Sequence, residues 1–416
     1  MIDKFFLYLI LFIPFSFLLG PFITDCTTLL IIIFFFIKIY KKKDLFYFKN
    51  NFLKYFLLFN VILIVSSLFS ENILYSLKSS FFFFRFYICS IAIWYALENY
   101  KNLFIKFIFS SIIAIFITTL GALYEFIFIK NFFYLVNNST GELTRLSGFL
   151  TKKLVVGSYL TRIGSLLFAI SIIYLLRKKN NFYILFSGLL YVVIIIFISG
   201  ERTAFLSIFL FSLLTLVYFR KQINIYLGVF VLLLSFFTIL NFEPIKKRMI
   251  DLTISQLNNT MSFEWKSEKS DPKDFVYLSV HHNAHARTAL KMFYDSPVIG
   301  HGPGMFRFVC HKFIYNEFSC TTHPHNFYLQ LLAETGTFGF LFLLIFFIQV
   351  SIKIFTGLVK PIYNNKKNIE FLLYLSILIS ILPFFPSGNL FNNWLAPQIF
   401  LPFGFLLYLH LSLIHI

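Results

Sequence analysis

Apolar runs of about 17–25 residues, each long enough to cross a bilayer as a helix, recur almost from end to end of this chain. No other feature limits its fold as strongly. The runs fall near 5–20, 22–38, 55–70, 80–97, 107–129, 154–176, 181–199, 203–219, 223–241, 327–350, 369–387 and 394–412, the first two being least cleanly separated. The expectation is an all-α polytopic membrane protein of about twelve transmembrane helices. A soluble domain is excluded by composition, since 416 residues carry 58% hydrophobic and only 13% charged side chains, with a mean hydropathy of +0.80. The 62 Phe accompany abundant Ile, Lys, Asn and Tyr. That is the bias of an AT-rich coding sequence, so the aromatic excess is not taken as a functional signal.

A net charge of +18 would point to nucleic acid in a soluble protein, but its distribution is topological. With the N-terminus in the cytoplasm, eighteen Lys and Arg fall on the inner side. Six fall in short outer loops: Lys78, Lys130, Arg145, Lys152, Lys153 and Arg202. This positive-inside bias predicts two cytoplasmic termini and no nucleic-acid partner. Residues 1–20 lack an A-x-A cleavage site and read as a retained span.

The same topology puts residues 242–326 outside as one large loop holding seven of the nine His, with ten basic residues nearly balanced by eight acidic ones. That balance argues against a polyanion patch. A polar tract, 258–274, interrupts the loop. The expected organisation is an N-terminal helical region (1–130), central helices carrying an arginine motif (131–241), the outer loop (242–326) and C-terminal helices (327–416). Cys26 and Cys89 lie within spans, as small packing groups. Cys310 and Cys320 bracket a short stretch of the outer loop, where an oxidising compartment favours a disulfide over two unpaired thiols.

Three arginines and a histidine are expected to share the outer boundary: Arg145 in ELTRLSGF, Arg202 in SGERTAFL, Arg287 in HNAHARTALKMF, and His325 in CTTHPHNFYLQ. Each arginine alone reads equally well as a headgroup anchor. Together they suggest more. Arg202 opens one apolar helix and His325 precedes another, and helix N-termini favour anions. Arginine adds a forked donor suited to phosphate oxygens, which makes a diphosphate site the physical reading. Nearby positive charge disfavours imidazolium, so His325 is expected to be neutral near pH 7 and to act as a general base. Pro324 suits a chain reversal, Asn326 a helix cap, and Gly336 and Gly339 a close backbone approach. Glu334 lies about two turns into the bilayer, where it either orients the site or pairs with a basic residue.

Metal ligation is not expected. His281, His282 and His285 in HHNAH and the pair in HPH lack H-E-x-x-H or paired-Cys spacing. GHGPG, residues 300–304, lacks the frame of a phosphate loop and reads as a tight turn positioning Phe306 and Arg307.

Arg202-Thr-Ala-Phe-Leu206 has the form R-x3-L, and His325-Asn326 with Gly336 and Gly339 has the form H-N-x9-G-x-x-G. Both resemble motifs of the O-antigen ligase and polymerase superfamily. ARTALKMFYDSPVIGHGPGMF also resembles the arginine-bearing stretch of that family's periplasmic loop, and the resemblance covers roughly residues 140–345. It implies a GT-C-like glycosyltransferase of the bacterial inner membrane, needing no metal or other cofactor, whose active site faces the periplasm. The implied partners are an undecaprenyl-diphosphate-linked glycan donor and a glycan acceptor, lipid A core by preference. On this resemblance His325 activates the acceptor hydroxyl, in a single inverting displacement, and Arg202 and Arg287 hold the diphosphate. Arg145 matches a further family arginine. One departure is the SGFLTKKLVVG stretch after Arg145, where the family often has an N-P-N-like turn. A polymerase extending a lipid-linked glycan is the alternative within the class. A transporter of lipid-linked oligosaccharide is the alternative outside it.

Overall fold

A computed structural model of the chain describes residues 2–128, 145–148, 155–175, 179–222, 228–230, 233, 237, 246–256, 258 and 278–411. Among them every regular element is helical. The order is α1 (Ile2–Leu19), α2 (Pro21–Lys42), α3 (Asn51–Leu68), α4 (Ile73–Ser80), α5 (Arg85–Asn99), α6 (Leu103–Phe128), α7 (Val156–Leu175), α8 (Lys179–Ile198), α9 (Arg202–Tyr218), α10 (Val280–Asp295), α11 (Phe327–Val359), α12 (Asn365–Ser380) and α13 (Leu395–Leu411).

Among the described residues five stretches are long and apolar enough to cross a membrane: Pro21–Lys42, Asn51–Leu68, Ile73–Asn99, Leu103–Ile127 and Phe327–Val359. Shorter apolar helices include Val156–Ile172, Tyr183–Ile198, Arg202–Tyr218 and Leu395–Leu411. The expected span at 223–241 falls largely outside the described residues, as does most of the polar tract 258–274. The span expected at 369–387 is shorter than its hydropathy suggests. Helix α12 stops at Ser380, because Pro383 and Pro386 cannot continue it, and residues 381–394 form a loop that returns to the site.

Asparagine starts these helices repeatedly. Asn50, Asn72, Asn326 and Asn364 each accept a backbone N–H from the first turn of α3, α4, α11 and α12, satisfying donors that a helix leaves open. Gly20, at φ 103°, and Pro21 separate α1 from α2, resolving the least certain boundary in the sequence. Lys38 closes this hairpin on Asp3. The aromatic excess is structural. Phe56 meets Tyr87, Phe346 and Phe400, and Phe59 stacks on Phe342 at 4.4 Å, so rings knit α3, α5, α11 and α13 together.

Charged groups within the bundle have local partners. Arg85 Nε donates to Asp25 Oδ1 at 2.8 Å while its Nη2 reaches Asn393 at 2.7 Å. Arg162 donates to the Ser158 carbonyl at 3.0 Å. Glu125 accepts the backbone N–H groups of Ser147 and Gly148 at 2.8 and 2.6 Å.

Candidate active site

His325 stands in the left-handed region at φ 55°, a conformation that few non-glycine residues adopt. The HPH reversal requires it. Asn326, directly after, is extended and accepts the N–H groups of Tyr328 and Leu329 at 2.9 and 3.1 Å. The Asn326 amide donates to the Pro383 carbonyl at 2.7 Å, and the His325 carbonyl accepts Ser387 N–H at 2.8 Å. The loop after α12 therefore fixes the histidine's backbone from the opposite side.

Three other imidazoles surround the His325 ring. His323 lies 4.2 Å away between centroids, His285 5.4 Å and His282 5.8 Å. His282 and His285 are three apart on α10 and so share a face. Burial, then the Arg145 charge, holds the His325 pKa below its usual 6.5. Burial and then the charge of His325 hold His285 near 4, and His282 and His323 near 3. The cluster is neutral at physiological pH, which leaves lone pairs free to accept protons. Among the described residues no group of three or more His, Cys, Asp or Glu is disposed to hold a metal ion.

Arg145 is delivered by its neighbours. Leu146 is fully buried and donates its N–H to the Ser199 carbonyl at 3.2 Å, while Ser147 and Gly148 are tied to Glu125. The SGFLTKKLVVG departure lies mostly outside the described residues. Beside Arg145, Glu201 accepts Gly157 and Ser158 N–H at 2.6 and 3.0 Å, filling the N-terminus of α7. Burial pushes Glu201 up to about 7 against the opposing pull of Arg145. Arg202 begins α9, and its two terminal nitrogens donate to Thr253 Oγ1 at 2.7 Å and Gln256 Oε1 at 2.9 Å. Its charge also bears on His282.

Arg287 is placed differently. Its guanidinium lies over the Tyr315 ring at 4.8 Å, one turn from Lys291, whose ammonium lies over the same ring at 5.6 Å. Tyr315 belongs to the segment closed by the Cys310–Cys320 disulfide, whose Cα atoms are 5.4 Å apart. Arg145 and His325 are thus brought together and Arg202 reaches the cluster through His282, whereas Arg287 stands against the disulfide loop.

Among the described residues Glu334 forms no ion pair with a basic side chain. It is fully buried, accepting Phe306 N–H at 2.9 Å and the Gln330 amide at 3.0 Å. Gln330 in turn donates to Asn389 at 2.9 Å and accepts Leu390 N–H at 3.0 Å. Of the two roles left open for Glu334, a basic partner is not the one seen among the described residues: the backbone N–H groups of Phe306 and Gly304, at the end of the GHGPG loop, meet its carboxylate. That loop is more than a turn. Gly336, at φ 62° and ψ −156°, breaks α11. His301 and Gly302 N–H bond the freed carbonyls of Ala333 and Glu334 at 3.2 and 2.7 Å, and Thr337 N–H bonds Pro297 at 2.8 Å. A Cβ on Gly300 would meet Glu334 C at 2.5 Å, and one on Gly336 would meet Val298 C at 2.5 Å. Gly339 lies one turn further on, packed against Thr335.

Sequence reasoning missed His282 and His285 as companions of His325, having weighed them only as metal ligands. The signal was present in the concentration of His within residues 281–325. None of the curated proteins compared matches the chain. Residues 187–344, a stretch that includes Arg202, Arg287, His325 and the Gly336 break, match the family model described as O-antigen ligase, which supports the O-antigen ligase family for that part of the chain.

Proposed function

We propose that the protein transfers a glycan from undecaprenyl diphosphate to an acceptor hydroxyl, lipid A core by preference, on the periplasmic face of a bacterial inner membrane. His325 takes the hydroxyl proton on its free ring nitrogen, the hydroxyl oxygen bonds to the anomeric carbon, and the bond from that carbon to the diphosphate oxygen breaks. The bonding pair leaves with the diphosphate, whose charge is met by Arg145 and Arg202. Diphosphate is already a good leaving group, so positioning, charge stabilisation and one base are sufficient. Arg287 is assigned to the diphosphate on resemblance alone.

The observation that carries this reading is the neutral, half-buried His325 beside Arg145 at the start of α11. Transport is less well supported, because Arg85, Arg162, Glu125 and Glu334 each have local structural partners where a transporter needs ionisable groups near mid-membrane. Full-length protein reconstituted with defined undecaprenyl-diphosphate repeat units provides the test. Transfer of preformed chains only when lipid A core is supplied is the expected result. Chain lengthening without core would replace the ligase with the polymerase, and absence of any glycosyl transfer would remove both.

A further inference from the structure

The reaction above leaves His285 without a task, yet this imidazole is only 7% exposed and lies beside the base. The Phe318 backbone hydrogen-bonds its ring. Its Nδ1 is buried and has no hydrogen-bond partner among the described residues, so that bond falls to Nε2–H, leaving an acceptor lone pair on Nδ1. Two imidazoles joined by an N–H···N bond of ~3 Å have centroids roughly 5 Å apart. The His285–His325 separation of 5.4 Å is close to that. The other two histidines are less well placed. His323, at 4.2 Å and 46°, meets His325 ring against ring, and His282 Nδ1 is engaged by Ser279 Oγ at 2.8 Å.

We propose that His285 is the positioning residue of the base, its Nδ1 accepting the N–H of His325 during turnover so that the other His325 nitrogen faces the acceptor hydroxyl. The proposal rests on His325 as base. A neutral imidazole has one N–H and one lone pair, and the wrong tautomer presents a proton to a hydroxyl that must lose one. A carboxylate commonly fixes that choice. Here it would compete with the donor's phosphates for Arg145, whereas an imidazole orients the base without adding negative charge. Once His325 is protonated, the bond to His285 becomes charge-assisted and strengthens. The other titratable or charged groups acting on the pair are His281, His282, His323 and Arg145, with Arg202 acting on His282 and Arg307 on His323. Phe318, which holds Nε2, lies within the disulfide-closed segment, so that loop sets the orientation of His285.

The test compares His285→Phe, which keeps a ring but no acceptor, with His285→Asn, whose side-chain oxygen can occupy the place of Nδ1. Both are assayed in the reconstituted full-length protein with undecaprenyl-diphosphate repeat units and lipid A core. His285→Phe is expected to lower kcat on the order of ten- to a hundredfold with KM within about twofold. It should also move the acid limb of kcat/KM to lower pH, because imidazolium at 325 loses its acceptor. His285→Asn should keep kcat within about threefold of the parent, and His285→Phe should cost nothing further in a His325→Ala background. Parental kcat in His285→Phe overturns the proposal, as does equal damage in His285→Asn with an unmoved acid limb. Full activity in His325→Ala alone would instead remove the base reading.

Discussion

The two sides of the candidate site are built by different means. On the His325 side, backbone groups are held: Ser387 N–H on the His325 carbonyl, N–H groups of the GHGPG loop on the carbonyls freed at Gly336, and Phe306 N–H on the Glu334 carboxylate. At Arg202, by contrast, side chain holds side chain, its guanidinium being occupied by Thr253 and Gln256. The difference matches the proposed tasks. A base must be in place within a few tenths of an ångström before substrate arrives, whereas a phosphate-binding arginine can exchange neutral acceptors for a charged one. Neutral acceptors hold the planar fork in a fixed orientation, and they yield because a bond to phosphate is stronger.

Five experiments probe this contrast. Removing the base has the largest expected effect: His325→Ala should reduce transfer by roughly 10²–10⁴-fold without loss of donor binding, measured by steady-state assay and by retention of labelled donor. Breaking the backbone lock comes next. Gly336→Ala puts a Cβ against Val298 at a positive φ, and strain alone should cost about 1–3 kcal/mol, read as a lower unfolding midpoint in detergent with loss of transfer in parallel. A midpoint equal to the parent's would mean that the loop is not locked at the kink.

On the arginine side the effects should be smaller and graded. Arg202→Lys keeps the charge and loses the fork, so kcat/KM should fall on the order of tenfold, about 1.4 kcal/mol. Thr253→Val removes only a placeholder, and a change of more than about threefold would make Thr253 a substrate contact. The pH profile links the two sides. His325 must be neutral to act, and burial and Arg145 hold its pKa below 6.5, so activity should persist as pH falls to 6.5 and decline beneath it. Arg145→Gln removes the repelling charge and should move that decline upward. An unmoved acid limb would separate Arg145 from the base.

How much of this was legible in the sequence follows from the range of each interaction. Hydropathy located the apolar segments because burial in lipid is a property of the local run. It overran α12 because Leu382, Phe384 and Phe385 are apolar even though Pro383 and Pro386 end the helix. The pairing of Asn326 with the first turn of α11 was readable, being a contact across three residues. The partners of Glu334 were not, since Phe306 is 28 residues away and contributes only its backbone N–H, which no side-chain pattern encodes. Arg202 was readable as a motif, but its attachment to Thr253 and Gln256 crosses about fifty residues. The histidine cluster lay between these cases, because HHNAH and HPH were visible and only their convergence was not.

The seam between the GHGPG loop and the kink of α11 also orders the protein's assembly. Residues 300–304 are synthesised before residues 333–336, so the N–H groups of His301 and Gly302 wait for acceptors not yet made. Cys310 and Cys320 both precede α11 and can join without it. The disulfide can therefore close before this segment docks, and docking waits for α11 to supply the carbonyls of Ala333 and Glu334.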